Sequence, residues 1–368
     1  MTPEKLILDA GSPGSHTSLA IWRYGRAGSG PKVYVQAALH ADEWPGVLML
    51  HHLHHLLEQA EITGEIVVVP IANPIGLRQF LGGYQLGRFD FDYSGNFNRG
   101  YLELADAAYP LLQAQHLQAL DAEAQKKAIR AAFREALDNW QPQLEAERLR
   151  KELQLLAHDA DAVIDVHCDA VACAHAFASR RHQAQAEALA QCMALEVLLL
   201  EDDLYSMAFD EAFAAPWWRL ADKLGLAFAA TPFATTLELR GERDIDEATA
   251  QRDAANFLRF LQYLGAVAGE AAIAEAPPLA TPLDGVARIT APHAGLLQFH
   301  VAAGAHVQEG QAVVDLIDPL DPRQPRLTLH APVAGTIYAL GRNHMVRPGH
   351  VVAQIAGKTA RSKAKLAY

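Results

Sequence analysis

Two short polar segments of the sequence carry residue types that bind metal ions. The first, His40-Ala41-Asp42-Glu43, follows an apolar run at residues 33–39. Catalytic zinc takes neutral imidazole and carboxylate ligands, three of them from the protein, and leaves a fourth position to water. His40 and Glu43 supply two such ligands. The pair alone is weak evidence, because the chain contains 17 His and 43 acidic residues.

The second segment, Asp165-Val166-His167-Cys168-Asp169, offers a third ligand. His167 directly follows the apolar strand predicted over residues 162–166. The ends of buried strands are a usual place for functional residues. We therefore expect His40, Glu43 and His167 to meet in space and to bind one Zn²⁺ per chain. A competing interpretation is that each is a strand-end polar residue satisfied by backbone groups.

Two further segments are candidates for substrate and proton chemistry. The polar loop at residues 87–100 is rich in hydrogen-bonding side chains, as ligand-contacting loops are. Glu238 is the one acidic residue in the apolar strand pattern at 235–239. Burying a carboxylate costs free energy unless it is paired, so a carboxylate at this position indicates a specific partner or a function. A pair with Arg240 or Arg243 is the alternative for Glu238.

Together these residues resemble the succinylglutamate desuccinylase and aspartoacylase family of the zinc carboxypeptidase superfamily. The resemblance covers roughly residues 33–241. It rests on His40-x-x-Glu43, Asn73-Pro74, Arg88 ten residues before Asn98-Arg99, His167 after a strand, and Glu238 near the end of a late strand. One departure is Gly100-Tyr101 after the Asn-Arg pair, where the family commonly has a Pro-Gly turn.

The resemblance implies a role for each matching residue. His40, Glu43 and His167 would bind zinc, and Glu238 would activate the zinc-bound water. Arg88 would stabilise the developing oxyanion.

On the substrate side, Asn98 and Arg99 would hold a free carboxylate, which a planar guanidinium pairs with in bidentate fashion. The alternative is that Arg88 and Arg99 form ion pairs at the surface. The substrate-side tyrosine of the family is Tyr205, Tyr93 or Tyr101, and the choice stays open.

The leading hypothesis for the reaction is hydrolysis of the amide bond of an N-acyl amino acid, a small-molecule substrate. A zinc carboxypeptidase acting on small peptides is the alternative, since its ligands and clamp would be alike. A metal-dead binding or regulatory protein is a third. The acidic stretch Glu201-Asp202-Asp203 has two interpretations. It is either a solvated surface or a group of charges that attracts a basic substrate.

The elements that position these residues alternate between strands and helices, which predicts an α/β fold. With the resemblance, we expect a mixed-sheet, zinc carboxypeptidase-like sandwich. Strands are predicted at residues 33–39, 65–71, 162–166, 175–178, 197–200 and 235–239, and a helix at 44–60. The stretch at about 102–160 is rich in Ala, Leu, Gln and Glu, and predicts two or three inserted helices for packing or subunit contact.

The C-terminal part has a different pattern. We expect a catalytic domain at 1–270, an Ala- and Pro-rich linker at 271–284, an all-β domain at 285–357 and a basic tail at 358–368. Ala291-Pro292-His293-Ala294-Gly295 recurs as Ala331-Pro332-Val333-Ala334-Gly335. Two such halves resemble the barrel-sandwich hybrid of biotinyl and lipoyl carrier domains. The stretch between them, 318–326, has no Lys, so we predict no lipoyl or biotinyl group.

Composition narrows the remaining possibilities. Apolar residues make up 51% and charged residues 20%, as in ordinary globular proteins. The net charge of −12 argues against a nucleic-acid partner. We expect no secretory signal and no membrane span, and three cysteines suit a reducing compartment, so the cytoplasm is the predicted location. A homo-oligomer is possible.

Four histidines at 51, 52, 54 and 55 form pairs three and four residues apart on the predicted helix. A metal cluster is one interpretation of these pairs. We favour a solvated helix side, because no carboxylate or Cys completes the set and the helix is already assigned to scaffolding.

Overall fold

The computed structural model describes residues 2–8, 12–92, 95–201, 207–227, 231–273, 278 and 280–357. In chain order its elements are β1 (Glu4–Leu8), β2 (Thr17–Gly25), β3 (Lys32–Ala37), α1 (Pro45–Leu57), β4 (Glu65–Val69), β5 (Phe80–Leu81), β6 (Tyr84–Gln85), α2 (Leu104–Leu112), α3 (Ala122–Asn139), α4 (Glu145–Ala157), β7 (Ala162–Asp169), β8 (Val171–Ala172), β9 (His175–Ser179), α5 (Gln183–Met193), β10 (Val197–Glu201), α6 (Phe209–Leu224), β11 (Phe233–Gly241), α7 (Glu247–Tyr263), β12 (Ala280–Pro282), β13 (Val286–Thr290), β14 (Gly295–Phe299), β15 (His306–Val307), β16 (Ala312–Ile317), β17 (Leu327–His330), β18 (Gly335–Leu340), β19 (Met345–Val346) and β20 (Val351–Gly357).

The chain divides into two compact units. The first consists of Met1–His167, Leu204–Thr236 and Ala250–Ala271, and the second of Cys168–Asp203, Leu237–Thr249 and Ala272–Tyr368. The chain passes from one unit to the other within β7 and again within β11.

The first unit contains a mixed sheet in the order β1-β2-β4-β3-β7-β11. β3 pairs in parallel with β4 and β7, whereas β2 is antiparallel to β4 and β1 to β2. The predicted α/β fold with a mixed sheet is confirmed. Ala37, the last residue of β3, pairs with Val166, so the turn after β3 begins beside this part of β7. His167 was predicted to follow the strand, but β7 continues to Asp169 and His167 lies within it.

The predicted helical insertion contains α2, α3 and α4, with a short 3-10 turn at Leu117–Ala119. On α3, Ile129, Phe133 and Leu137 recur every four residues and are buried, which gives the helix one apolar face. Phe133 packs edge-on against Trp217 of α6, with ring centroids 5.4 Å apart. No helix in the described part of the chain is long and apolar enough to cross a membrane.

The second unit contains a parallel arrangement β9-β10-β12 and two antiparallel sheets of the C-terminal part. The sheets run β13-β20-β18-β15, with β8 added to β18, and β17-β16-β14-β19. The repeated alanines Ala291 and Ala331 are both buried in the same core cluster. The repeat read in the sequence therefore places equivalent residues in one core. The domain boundaries and the barrel-sandwich assignment stay predictions.

Candidate metal centre and active site

The turn between β3 and α1 carries His40 and Glu43. Ala38 has a positive φ of 52°, a conformation uncommon for a residue with a side chain, and it turns the chain away from the sheet. Asn73 stabilises this turn from the loop after β4. Its backbone N–H donates to the Ala38 carbonyl at 3.1 Å, and its side-chain amide donates to the Leu39 carbonyl at 2.9 Å.

Gly87 packs directly on this turn. Its carbonyl accepts a hydrogen bond from the Ala41 backbone N–H at 3.1 Å. A Cβ atom at Gly87 would lie 2.5 Å from the Asp42 nitrogen, a distance that real Cβ atoms do not show. The absence of a side chain therefore allows the loop to approach the turn and brings Arg88 to Glu43.

Gly46 allows α1 a similar close approach to the sheet. A Cβ at this position would lie 2.7 Å from Val166 Cγ1 and 3.1 Å from Ala37 Cβ. Because Val166 precedes His167, this contact sets the start of α1 against the strand that carries the third predicted ligand.

The structure brings His40, Glu43 and His167 together, and all three are buried. Their potential ligand atoms lie within 4.8 Å of one another. His40 Nδ1 is 3.0 Å from Glu43 Oε1, and His167 Nδ1 is 2.8 Å from Glu43 Oε2. The Nδ1 atoms of both imidazoles therefore face the same carboxylate, and two histidines with one glutamate are a donor set that catalytic zinc uses.

The other ring nitrogen of each histidine has its own oxygen neighbour. His40 Nε2 is 2.9 Å from Asn96 Oδ1, and His167 Nε2 is 2.9 Å from Asp165 Oδ2. Metal-binding histidines usually donate this second N–H to an oxygen, which leaves the lone pair of the first nitrogen for the metal. The residues present thus fit a zinc ion. The sequence interpretation gave neither Asn96 nor Asp165 a role. For Asp165 a signal existed, since residues two apart on a strand share a face.

The electrostatics of the trio favour a cation. Burial raises the pKa of Glu43, but His40, His167 and Arg88 lower it further, so the net pKa lies well below the usual range. Burial alone would lower the pKa of His167, yet Asp165 and Glu43 raise it well above the usual value. For His40 burial dominates and lowers the pKa. Buried carboxylates on both sides of His167 therefore create a site that holds positive charge.

Arg88 lies beside the trio and is partly exposed. One of its terminal nitrogens donates to Glu43 Oε1 at 2.7 Å, the same oxygen that faces His40 Nδ1. A guanidinium at this place is close to any carbonyl group that reaches a metal held by the trio, which suits the predicted oxyanion role.

Of the two residues predicted to hold the substrate carboxylate, Asn98 lies next to the trio. The side chain of Asn98 is buried, its Oδ1 accepts the Phe209 backbone N–H at 2.7 Å, and its Nδ2 is 3.4 Å from His167 Nε2. Arg99 is partly exposed and donates to the Asn98 carbonyl at 2.5 Å. Asn98 thus links the start of α6 to the trio, and substrate binding by the pair stays a prediction.

Glu238 lies on β11 in the second unit, partly exposed between the buried residues Leu237 and Leu239. Its role as the base stays a prediction. Among the candidate tyrosines, Tyr93 and Tyr205 are outside the described residues, as are Asp202 and Asp203 of the acidic stretch.

The third tyrosine, Tyr101, is buried in the core, where its ring packs against Phe209 at 5.3 Å. The sequence interpretation also gave no role to Asp210, a buried carboxylic acid in the first turn of α6. Burial, followed by the charges of Glu211 and Asp165, raises the pKa of Asp210 to about 7.

Comparisons with known proteins identify the family of the chain. The model of the succinylglutamate desuccinylase/aspartoacylase catalytic domain matches residues 29–264. A family protein of this name from Shewanella amazonensis SB2B is similar over 97% of this chain and 98% of its own, with 28% identity and a TM-score of 0.86. Another from Shewanella frigidimarina NCIMB 400 shows 26% identity over the same shares, also with a TM-score of 0.86.

A more distant structure, the product-bound ectoine utilization protein EutE (DoeB) from Ruegeria pomeroyi, shares the fold. It is 18% identical over 96% of this chain and 94% of its own, with a TM-score of 0.64. No curated protein matches the chain. The family match begins ahead of His40, ends beyond Glu238 and takes in more than half of the chain. The resemblance read from the residues is therefore confirmed, and the chain belongs to the succinylglutamate desuccinylase/aspartoacylase family.

Proposed function

We propose that this protein is a zinc-dependent hydrolase that cleaves the amide bond of an N-acyl amino acid. The observation that carries the proposal is the buried trio of His40, Glu43 and His167, whose two Nδ1 atoms face one carboxylate. Membership of a deacylase family supports the reaction class.

His40, Glu43 and His167 would hold the zinc ion, with Asn96 and Asp165 orienting the two imidazoles. When bound, zinc would lower the pKa of a water ligand toward ~7 and polarise the substrate carbonyl.

The other residues would move the proton and bind the substrate. Glu238 would accept the proton of the attacking water and return it to the leaving amine. Arg88 would donate to the carbonyl oxygen as negative charge develops there. Arg99, aided by Asn98, would pair with the free carboxylate of the amino acid and so align the amide for attack.

Glu238→Gln tests the role of the base. This variant should keep wild-type zinc content and lose hydrolysis of the substrate, because an amide cannot accept the proton. Glu135→Gln, which changes an exposed carboxylate on α3, is the matched control and should hydrolyse at the wild-type rate. Undiminished turnover in Glu238→Gln would contradict the assignment.

The substrate class is tested by assaying N-acetyl and N-succinyl amino acids beside short peptides. We expect release of free amino acids from the acylated compounds. Cleavage of peptides alone would identify a carboxypeptidase instead. Absence of both activities in a protein without stoichiometric zinc would indicate a binding protein.

We also propose that residues 285–357 form a barrel-sandwich-hybrid-like domain following the catalytic domain and the linker at 271–284. Support comes from the two antiparallel sheets and from the repeated alanines in one core. Expression of residues 285–357 alone tests this: a cooperative unfolding transition is expected, and an unfolded fragment would contradict it.

A further inference from the structure

The last turn of α1 contains a second group of potential metal ligands. The sequence interpretation took its histidines for a solvated helix side, because no carboxylate completed the set. That reason was wrong. The carboxylate of Glu58, the residue just after the helix, lies with His54 and His55 so that one potential ligand atom from each is within 4.8 Å of the others. We propose that His54, His55 and Glu58 bind a second divalent transition-metal ion.

The distance between His54 and Glu58 suits a shared ion. His54 Nε2 is 3.6 Å from Glu58 Oε1, which is longer than a hydrogen bond. Two ligands at 2.0–2.2 Å from a tetrahedral zinc ion are about 3.4 Å apart. The pair is four residues apart on the helix, so both side chains project from the same side. A small side-chain adjustment therefore brings both to coordination distance.

Neighbouring aromatic residues orient His54 for this role. The hydroxyl of the buried Tyr24 is 2.6 Å from His54 Nδ1, and the Trp22 ring centroid is 4.3 Å from that of the imidazole. With Nδ1 engaged by the phenol, Nε2 is the nitrogen left to face Glu58. An oxygen partner on the second ring nitrogen is the usual support of a metal-binding histidine. The site thus has an outer partner as well as ligands.

The charges around the helix end favour a bound cation. Glu58 lies at the C-terminal end of α1, where the helix dipole disfavours a carboxylate and favours positive charge. A metal ion there would offset the repulsion.

The ligand chemistry selects the class of ion. Two imidazoles and one carboxylate suit Zn²⁺, Ni²⁺ or Cu²⁺ and do not suit Mg²⁺ or Ca²⁺, which prefer oxygen ligands. His55 and Glu58 are exposed, so water would complete the coordination and the ion would exchange with solvent. Binding should therefore be weaker than at the buried trio.

The experiment counts zinc bound to the full-length chain without any affinity tag. Protein stripped with a chelator is dialysed against a series of free Zn²⁺ concentrations, and bound zinc per chain is measured by mass spectrometry. We expect Glu58→Gln and His55→Ala each to weaken the weaker class of binding by about tenfold or more. His116→Ala, at an exposed histidine on another part of the chain, is the control and should bind as wild type does.

Two further variants sharpen the outcome. Tyr24→Phe keeps all three ligands and should weaken the same class, since it removes only the orienting hydroxyl. His40→Ala should keep this class, so loss of the catalytic ion and loss of the surface ion are distinguished. Wild-type zinc binding in both Glu58→Gln and His55→Ala, with circular dichroism showing folded protein, would overturn the proposal. The result does not depend on any hydrolytic activity.

Discussion

Asp210 should make the stability of this protein depend on pH in a direction opposite to that of most carboxylates. Asp210 is buried in the first turn of α6. Burial, then Glu211 and Asp165, raise its pKa from 3.8 to about 7. The folded chain therefore holds this proton more tightly than the unfolded chain does. The resulting stabilisation is complete below about pH 4 and is lost as the pH rises through about 7.

The magnitude follows from the separation of the two pKa values, 3.8 and about 7. Each unit is worth about 1.4 kcal/mol, so the shift of about three units amounts to at most about 4 kcal/mol. Asp210→Asn replaces the protonated acid by a neutral amide of similar shape that does not titrate. Relative to wild type, the free energy of unfolding of this variant should therefore rise by up to about 4 kcal/mol between pH 4 and pH 8.

Urea unfolding followed by tryptophan fluorescence over this pH range measures the difference. Trp217 and Trp218 lie on the same helix as Asp210 and report on its unfolding. Asp138→Asn, at an exposed carboxylate on α3 whose pKa is lowered by Arg134, is the control and should give a constant difference above pH 5. Parallel pH profiles for Asp210→Asn and wild type would refute the reasoning.

Three other changes test how the site is built. Asn96→Ala should weaken zinc binding about 10- to 100-fold in a chelator competition, because His40 loses its oxygen partner; unchanged affinity would count against that role. Gly46→Ala adds up to about 1 kcal/mol of helix propensity but places a Cβ 2.7 Å from Val166, which costs about 1–3 kcal/mol. We expect net destabilisation in urea, relieved by Val166→Ala in a double-mutant cycle, and a stabilised single variant would be the contrary result. Arg88→Ala should lower turnover about a hundredfold with zinc content retained, and a wild-type rate would remove Arg88 from the mechanism.

Local sequence patterns were sufficient to predict strands that carry or precede the candidate ligands. The apolar, β-branched run at 33–39 overlaps β3 over residues 33–37, and the run at 162–166 begins β7. Pro45 marks the first position of α1, as proline does at helix starts. These signals are local because burial on both faces of a parallel strand requires a continuous apolar segment. The strands β1 and β2 were not predicted. β1 lies at the sheet edge with Ile7 largely exposed, so it lacks the continuous apolar run of the central strands.

The surroundings of the ligands depended on contacts that no local pattern encodes. Gln36 donates to Asp165 across 129 residues, and His40 meets Asn96 across 56. The proximity of the Glu58 carboxylate to His54 and His55 became evident only from the structure of the helix end, although the three residues lie within a stretch of five.

For this protein the sequence by itself indicated the candidate ligands, the strands near which they lie and the family. Residue chemistry and hydrophobic period are properties of short segments, so they can be read without a fold. Only the tertiary structure decided which nitrogen of each histidine faces Glu43, and that Asp165 lies against His167 from behind. Those features arise from side-chain packing between distant segments, where burial fixes both orientation and charge.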